Sequence, residues 1–306
     1  MKNVIFSIYV DIADDNLQNL SSYMGDDVPR SLRTKNKLAQ YYQPLVDCKK
    51  QYADTCDADF VMFHADDQYT KFLQSMPNSI YEFDKINHYK HHLLELMSHE
   101  YDNVLYMDLD VVPVTQTSFF DAHDLSKFCI HCADASRSAT WGMLNGAVAR
   151  QLPCEEHGIP LTYEHAVEHH IDQYHWYMKK LCKDAMLLCE GLNDPNNLLA
   201  NTAIMGGSAS AIQAVKYFER LPDMLQVFDD VIKESAMGDV ITSKFFVNNE
   251  VFMSYIINKY QLPCTFLPSE WHYIQLPEYT NFVSKSEAHL WHIIDKRFEK
   301  IWKDHV

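Results

Sequence analysis

The run Asn103-Val104-Leu105-Tyr106-Met107-Asp108-Leu109-Asp110-Val111-Val112-Pro113 constrains this chain more than any other stretch. Its apolar residues are consecutive rather than alternating. That pattern suits a strand covered on both faces, as in a parallel sheet flanked by helices. Two carboxylates one residue apart then interrupt it, where apolar packing alone needs none.

The flanking sequence carries the punctuation of such a sheet. Residues 4–10 read as a first strand and 31–56 as one or two helices. Residues 59–64 read as a second strand. A helix over 85–99 puts Ile86, Tyr89, Leu93, Leu96 and Met97 on one face, with Asp84 as its N-cap. The strand at 104–107 follows. Strand and helix in alternation predict a parallel sheet with crossover helices. Beyond it, 133–158 has no period, and 161–188 contains a long helix. Asn193-Asp194-Pro195-Asn196-Asn197 is a turn cluster. Residues 198–205 read as a strand, Gly206-Gly207 as a turn, and Ser208 as the cap of a helix to about 221. A last helix over 251–260 is capped by Asn248 or Asn249. The 306 residues suffice for one large α/β domain, and a single domain over 1–306 is expected.

Charge narrows the partners. The formal net charge is −16, which repels nucleic acid and anionic membrane. No apolar run has the length of a membrane span. The start, MKNVIFSIYVDIADD, reads as a strand rather than a leader, because Asp11 follows the apolar stretch at once. Eight scattered cysteines in so long a chain suggest reduced thiols and a cytoplasmic location. Cys129-Ile130-His131-Cys132 lacks a second pair for zinc, and strand packing accounts for it.

Two carboxylates on one side of a strand end repel each other unless a cation sits between them. The carboxyl end of a parallel strand is also where open α/β sheets bind ligands. Oxygen ligands there favour Mg²⁺ or Mn²⁺, which hold phosphate oxygens and act as Lewis acids on a diphosphate leaving group. The plainer alternative is a pair of turn-forming or salt-bridged aspartates.

The segment V-L-Y-M-D-L-D-V-V-P resembles the D-x-D strand end of GT-A glycosyltransferases, especially the glycogenin-like family 8 type. The resemblance implies a Rossmann-like, mixed but mainly parallel sheet flanked by helices. It also implies transfer of a hexose from a nucleotide diphosphate sugar, a UDP-sugar in that family's habit, to a hydroxyl of a glycan or other acceptor. A nucleotide-binding half over 1–112 and an acceptor-binding half over 113–306 are expected, with the tail closing on the donor. Asp108 and Asp110 are then metal-site residues for Mn²⁺ or Mg²⁺, Asp108 acting through water or the ribose. The third ligand comes from Ala288-His289-Leu290-Trp291-His292, with His292 favoured over His289 because Lys296 and Arg297 follow it. Tyr9, Val10 and Asp11 line the nucleotide pocket by fold position. Leu109 joins the donor-binding set. Lys85 is the first candidate to meet the donor phosphates and Lys90 the second, with Lys296 assisting from the tail. Asn201-Thr202-Ala203-Ile204-Met205 resembles the family's N-T-G-x-M strand, so Asn201 meets the sugar, although Ala203 replaces the glycine. Asn249 and Glu250 resemble the family's pair near the reacting centre, with Glu250 as base or orienting group. The likeness to family 8 tilts the stereochemistry towards retention.

Two other functions compete. His165-Ala166-Val167-Glu168-His169 matches the H-x-x-E-H pattern of inverted zinc peptidases. With 16 histidines and 42 acidic residues, short matches of this kind arise by chance. A chain that binds a nucleotide sugar without turning it over is the other alternative, and measured turnover separates the two. The sequence leaves the oligomeric state open.

Overall fold

A computed structural model of the chain describes residues 1–14, 17, 30–78, 80, 82–134, 175–192, 198–234, 248–275, 283–294 and 296–302. Strand β1 (Asn3–Ile8) is followed by helices α1 (Arg30–Gln40) and α2 (Tyr42–Thr55). Strand β2 (Ala58–Phe63), helices α3 (Asp67–Ser75) and α4 (Glu82–Met97), and strand β3 (Asn103–Met107) come next. Local chemistry explains these boundaries. The Asp66 side chain accepts from the Tyr69 N–H at 2.9 Å, capping α3. Helix α4 carries Glu82 and Asp84 in its first turn, where acidic groups suit the helix dipole. Asp84 therefore lies inside the helix rather than capping it.

The central sheet has the order β2-β1-β3-β6-β5-β7, with β5 (Phe128–Asp134), β6 (Leu198–Ser208) and β7 (Cys264–Phe266) completing it. β1 pairs parallel with β2 and β3, and β5 with β7, while β6 runs antiparallel to β3 and β5. Five strands thus share one direction and β6 opposes them. This is the expected mixed, mainly parallel α/β architecture. β3 alternates between the two cores: Val104 and Tyr106 enter one apolar cluster, Leu105 and Met107 the other. Helices on both sides bury these strands. Burying a side chain such as Phe6 or Leu105 completely stabilises the fold by roughly 1.5–3 kcal/mol.

Two expectations are corrected. Gly206-Gly207 is not a turn, because β6 runs through both to Ser208. A Cβ on Gly206 would sit 2.7 Å from the Val104 carbonyl oxygen, so this glycine lets β3 and β6 approach. The helix capped by Ser208 ends at Gln213, and a second helix spans Tyr217–Glu234, with Lys216 between them at φ 49°. The expected long helix is described over His175–Cys189. The last expected helix spans Asn249–Lys259, and Asn248 caps it.

A second, three-stranded sheet has the order β4-β9-β8, from β4 (Val111–Pro113), β8 (Tyr273–Ile274) and β9 (Leu290–His292). Asp108-Leu109-Asp110 is the joint between the two sheets. No helix among the described residues is long and apolar enough to cross a membrane.

Candidate metal corner and active site

The two aspartates occupy a turn at the carboxyl end of β3 rather than an extended strand. The Val111 N–H donates to the Asp108 carbonyl at 3.0 Å, closing that turn. The Asp108 N–H continues the ladder onto β6 by donating to the Ala203 carbonyl at 2.7 Å. Leu109 faces the opposite way and is buried with Tyr41, Leu45 and Ile293. Its side chain therefore serves packing.

His292 reaches this turn because β4 and β9 pair antiparallel with Val111 opposite His292. The Ile293 N–H donates to the Asp110 carbonyl at 3.0 Å and extends the pairing. Asp108, Asp110 and His292 each offer one ligand atom, and these lie within 4.8 Å of one another. His292 Nε2 is 3.4 Å from Asp110 Oδ2. His289 precedes the strand, its ring against Trp271 and its Nδ1 2.9 Å from the Thr115 hydroxyl. The register thus brings His292, and not His289, to the aspartates.

A second layer orients the imidazole. His292 Nδ1 is 3.0 Å from His272 Nε2, and the His272 ring packs 4.4 Å from that of His131. His131 Nδ1 in turn lies 3.0 Å from the Leu267 carbonyl oxygen. With Nδ1 engaged in this way, Nε2 of His292 is the nitrogen that faces the carboxylates. Two carboxylates and one imidazole form a hard donor set suited to Mn²⁺ or Mg²⁺.

Cations surround the corner. Lys296, at φ 56°, pairs with Asp110. Burial alone pushes the Asp110 carboxyl up, but Lys296 and then His292 reverse this and hold it well below the usual carboxylate range. Lys90 lies 3.5 Å from Asp108, which also accepts a hydrogen bond from the Tyr106 hydroxyl. Lys85 points elsewhere, to the Leu73 carbonyl at 3.3 Å. Of the two helix-α4 lysines, the structure brings Lys90 to the aspartates.

A second acidic position borders β6. Glu250, in the first turn of the helix Asn249–Lys259, pairs with Lys179 and accepts from the Thr202 N–H at 3.3 Å. Burial raises its carboxyl, and Lys179 more than reverses that, leaving it below its ordinary value. Asn249 donates to the Thr202 hydroxyl at 2.7 Å, while Asn201 Oδ1 accepts from the Ala203 N–H at 3.0 Å. Asn201 sits across from His131 in the β5–β6 register. Sequence reasoning missed Lys179, because a lysine on a helix ordinarily reads as solvated surface.

At the ends of β1 and β2, the Tyr9 and Tyr42 rings lie 4.9 Å apart, and the Tyr42 hydroxyl is 3.2 Å from His64 Nε2. Val10 is half-buried against the larger core. Asp11 is exposed and lies 3.3 Å from Lys35. His165, Glu168 and His169 lie outside the described residues.

No protein family's sequence profile and no curated protein sequence matches the chain. Solved structures do. Mouse xyloside xylosyltransferase 1 aligns at 10% identity and a TM-score of 0.43, over 96% of this chain and 98% of its own. A glycosyltransferase involved in glycosylation of the major capsid of PBCV-1 aligns at 9% identity and 0.41, over 98% and 100%. The galactosyltransferase LgtC, crystallised with donor and acceptor sugar analogues, aligns at 11% identity and 0.37, over 95% and 86%.

Proposed function

We propose that this chain is a metal-dependent glycosyltransferase that moves a hexose from a nucleotide diphosphate sugar, with a UDP-sugar as the donor class, to a hydroxyl acceptor. One observation carries the reading. Asp108, Asp110 and His292 converge within 4.8 Å at the carboxyl end of a central strand. In this reading they hold Mn²⁺ or Mg²⁺, which supplies Lewis-acid stabilisation of the diphosphate leaving group.

The chain's own residues do the rest. Lys90 and Lys296 offset phosphate charge in a protein whose net charge is otherwise unfavourable to it. The second of the two α4 lysines is the one that fits this role. Tyr9 and Val10 border the donor's nucleoside, with Asp11 at the rim. Leu109 contributes its backbone at the floor. Asn201 orients sugar hydroxyls through its amide nitrogen, since its oxygen is engaged by Ala203. Asn249 steadies Thr202 next to it. Glu250, kept ionised by Lys179, stabilises positive charge near the anomeric carbon. A carboxylate held below its ordinary pKa is a weak base for a hydroxyl proton. That favours a retaining course over an inverting one. The acceptor is a glycan or another hydroxyl compound, and the proposed site of action is the cytoplasm.

Thermal melting with a panel of nucleotide sugars, with and without Mn²⁺, tests the reading. A ligand that binds only the native state raises the melting temperature by mass action. The expected result is a Mn²⁺-dependent rise with one UDP-sugar, absent in Asp110→Ala, and steady turnover with an acceptor. A rise that needs no metal, or one that survives in Asp110→Ala, overturns the site. Binding without any turnover leaves a sugar-nucleotide binder instead.

A further inference from the structure

The backbone of the D-x-D turn is held from beneath by a residue no motif marks. Lys49 lies on α2 and is 0% exposed. Its Nζ donates to the Leu109 carbonyl at 2.7 Å and the Val111 carbonyl at 2.6 Å, and lies 3.5 Å from the carbonyl of Leu45 in its own helix. These partners are carbonyls, so no carboxylate consumes the charge. The charges of both Asp110 and Asp108 act on this ammonium.

Every carbonyl of the turn is therefore assigned. Asp108 accepts from Val111, Asp110 accepts from Ile293, and Leu109 and Val111 accept from Lys49. Lys49 holds the peptide plane that enters Asp110, through the Leu109 carbonyl, and the plane that leaves Val111, while Ile293 and Asp108 hold the plane between them. Packing alone does not explain the ammonium. Burying a charge is costly, so an ammonium held only by carbonyls calls for a reason beyond filling space.

We infer that Lys49 is a positioning residue for the metal corner, a buried lysine whose ammonium sets the D-x-D turn and offsets the repulsion between its two carboxylates. The inference rests on the proposed reading of Asp108, Asp110 and His292 as metal ligands. Lys49 touches neither metal nor substrate and acts through the turn.

Mn²⁺ binding to the purified full chain, followed by electron paramagnetic resonance of the free ion, is the test. Lys49→Met removes the charge and the donors. Lys49→Gln keeps an N–H donor and removes the charge. Outer-layer partners of metal ligands typically contribute ~10–100-fold in metal affinity, and a loss in that range is expected for Lys49→Met, with a smaller loss for Lys49→Gln. Melting curves without metal report folding. A merely structural role lowers the melting temperature and leaves the Mn²⁺ affinity of the folded protein unchanged. Where Lys49→Met does not fold, Lys49→Gln decides the question. Affinity within about twofold of wild type in a folded variant overturns the inference, since outer-layer roles exceed that. A wild-type chain that binds no Mn²⁺ overturns the metal reading instead.

Discussion

Two acidic positions border strand β6, and they handle negative charge differently. At Asp108 and Asp110, two carboxylates and an imidazole face one another within 4.8 Å, with Lys90 and Lys296 at the sides. At Glu250, one carboxylate meets one lysine, Lys179, and one backbone N–H. The first corner gathers donors that suit a dication. The second pairs a carboxylate directly with a lysine.

Variants can break this contrast. The largest effect is expected at the first corner. Asp110→Asn should lower metal-dependent transfer by at least about 100-fold, beyond what outer-layer partners contribute. Its melting temperature without metal should move less, because the Asn carbonyl oxygen can still accept from Lys296 and the repulsion with Asp108 is relieved. Kinetics across a Mn²⁺ titration, with melting curves alongside, check both halves.

The second corner should respond the other way. Lys179→Met leaves the largely enclosed Glu250 carboxylate without this cation and should destabilise the fold by about 1–3 kcal/mol. Lys179→Met combined with Glu250→Leu should recover most of that stability but no activity. Urea unfolding of the three proteins gives the comparison. Equal losses in the single and double variants would show that the pair is not the source.

His272 sharpens the first corner further. His272→Leu removes the partner of His292 Nδ1 and should weaken Mn²⁺ binding by ~10-fold, with little change in the transfer rate at saturating metal. Calorimetric titration with Mn²⁺ measures it.

The smallest effect is a background common to both corners. Burial lowers His123 from 6.5 to about 4 and also lowers His91 well below its ordinary value. The unfolded chain takes up these protons below about pH 6.5, whereas the folded chain refuses them. Stability is therefore full above that pH and declines as pH falls towards 4. Neither histidine touches Asp110 or Glu250, so Asp110→Asn should keep this slope above about pH 5 and flatten it only nearer pH 4, where the unfolded Asp110 carboxyl takes up a proton that the folded one refuses. Denaturant titrations on either side of that window read it.

The legible part of this molecule was the part with local causes. A consecutive apolar run ending in two aspartates marked the right strand end, because burial on both faces leaves a compositional trace. His292 was favoured over His289 for the basic pair behind it, whereas the physical reason is the register of β4 against β9. Lys85 and Lys90 are five residues apart, which rotates them by about 140° around a helix, so they cannot face the same neighbour. Sequence order put Lys85 first, and the docking angle of α4 favours Lys90. Lys49 and Lys179 were invisible for a related reason. Their burial depends on which carbonyls or carboxylates another element brings, and nothing in their own neighbourhoods records that. Gly206 misled because close backbone approach and turning both select glycine.

The pairing of β4 with β9 has a consequence for how the molecule comes into being. Asp110 and Lys296 are 186 residues apart. Contacts of such separation close slowly, after hairpins and neighbouring helices have formed. The clusters that cover β1 and β3 draw residues from β6 and from the segment up to Leu290, so they too are completed late in the chain. The group of Asp108, Asp110 and His292 is complete only once β9 has docked on β4. Leu290, Ile293 and Phe298 are fully buried, so the docking that brings His292 to the aspartates also closes the core.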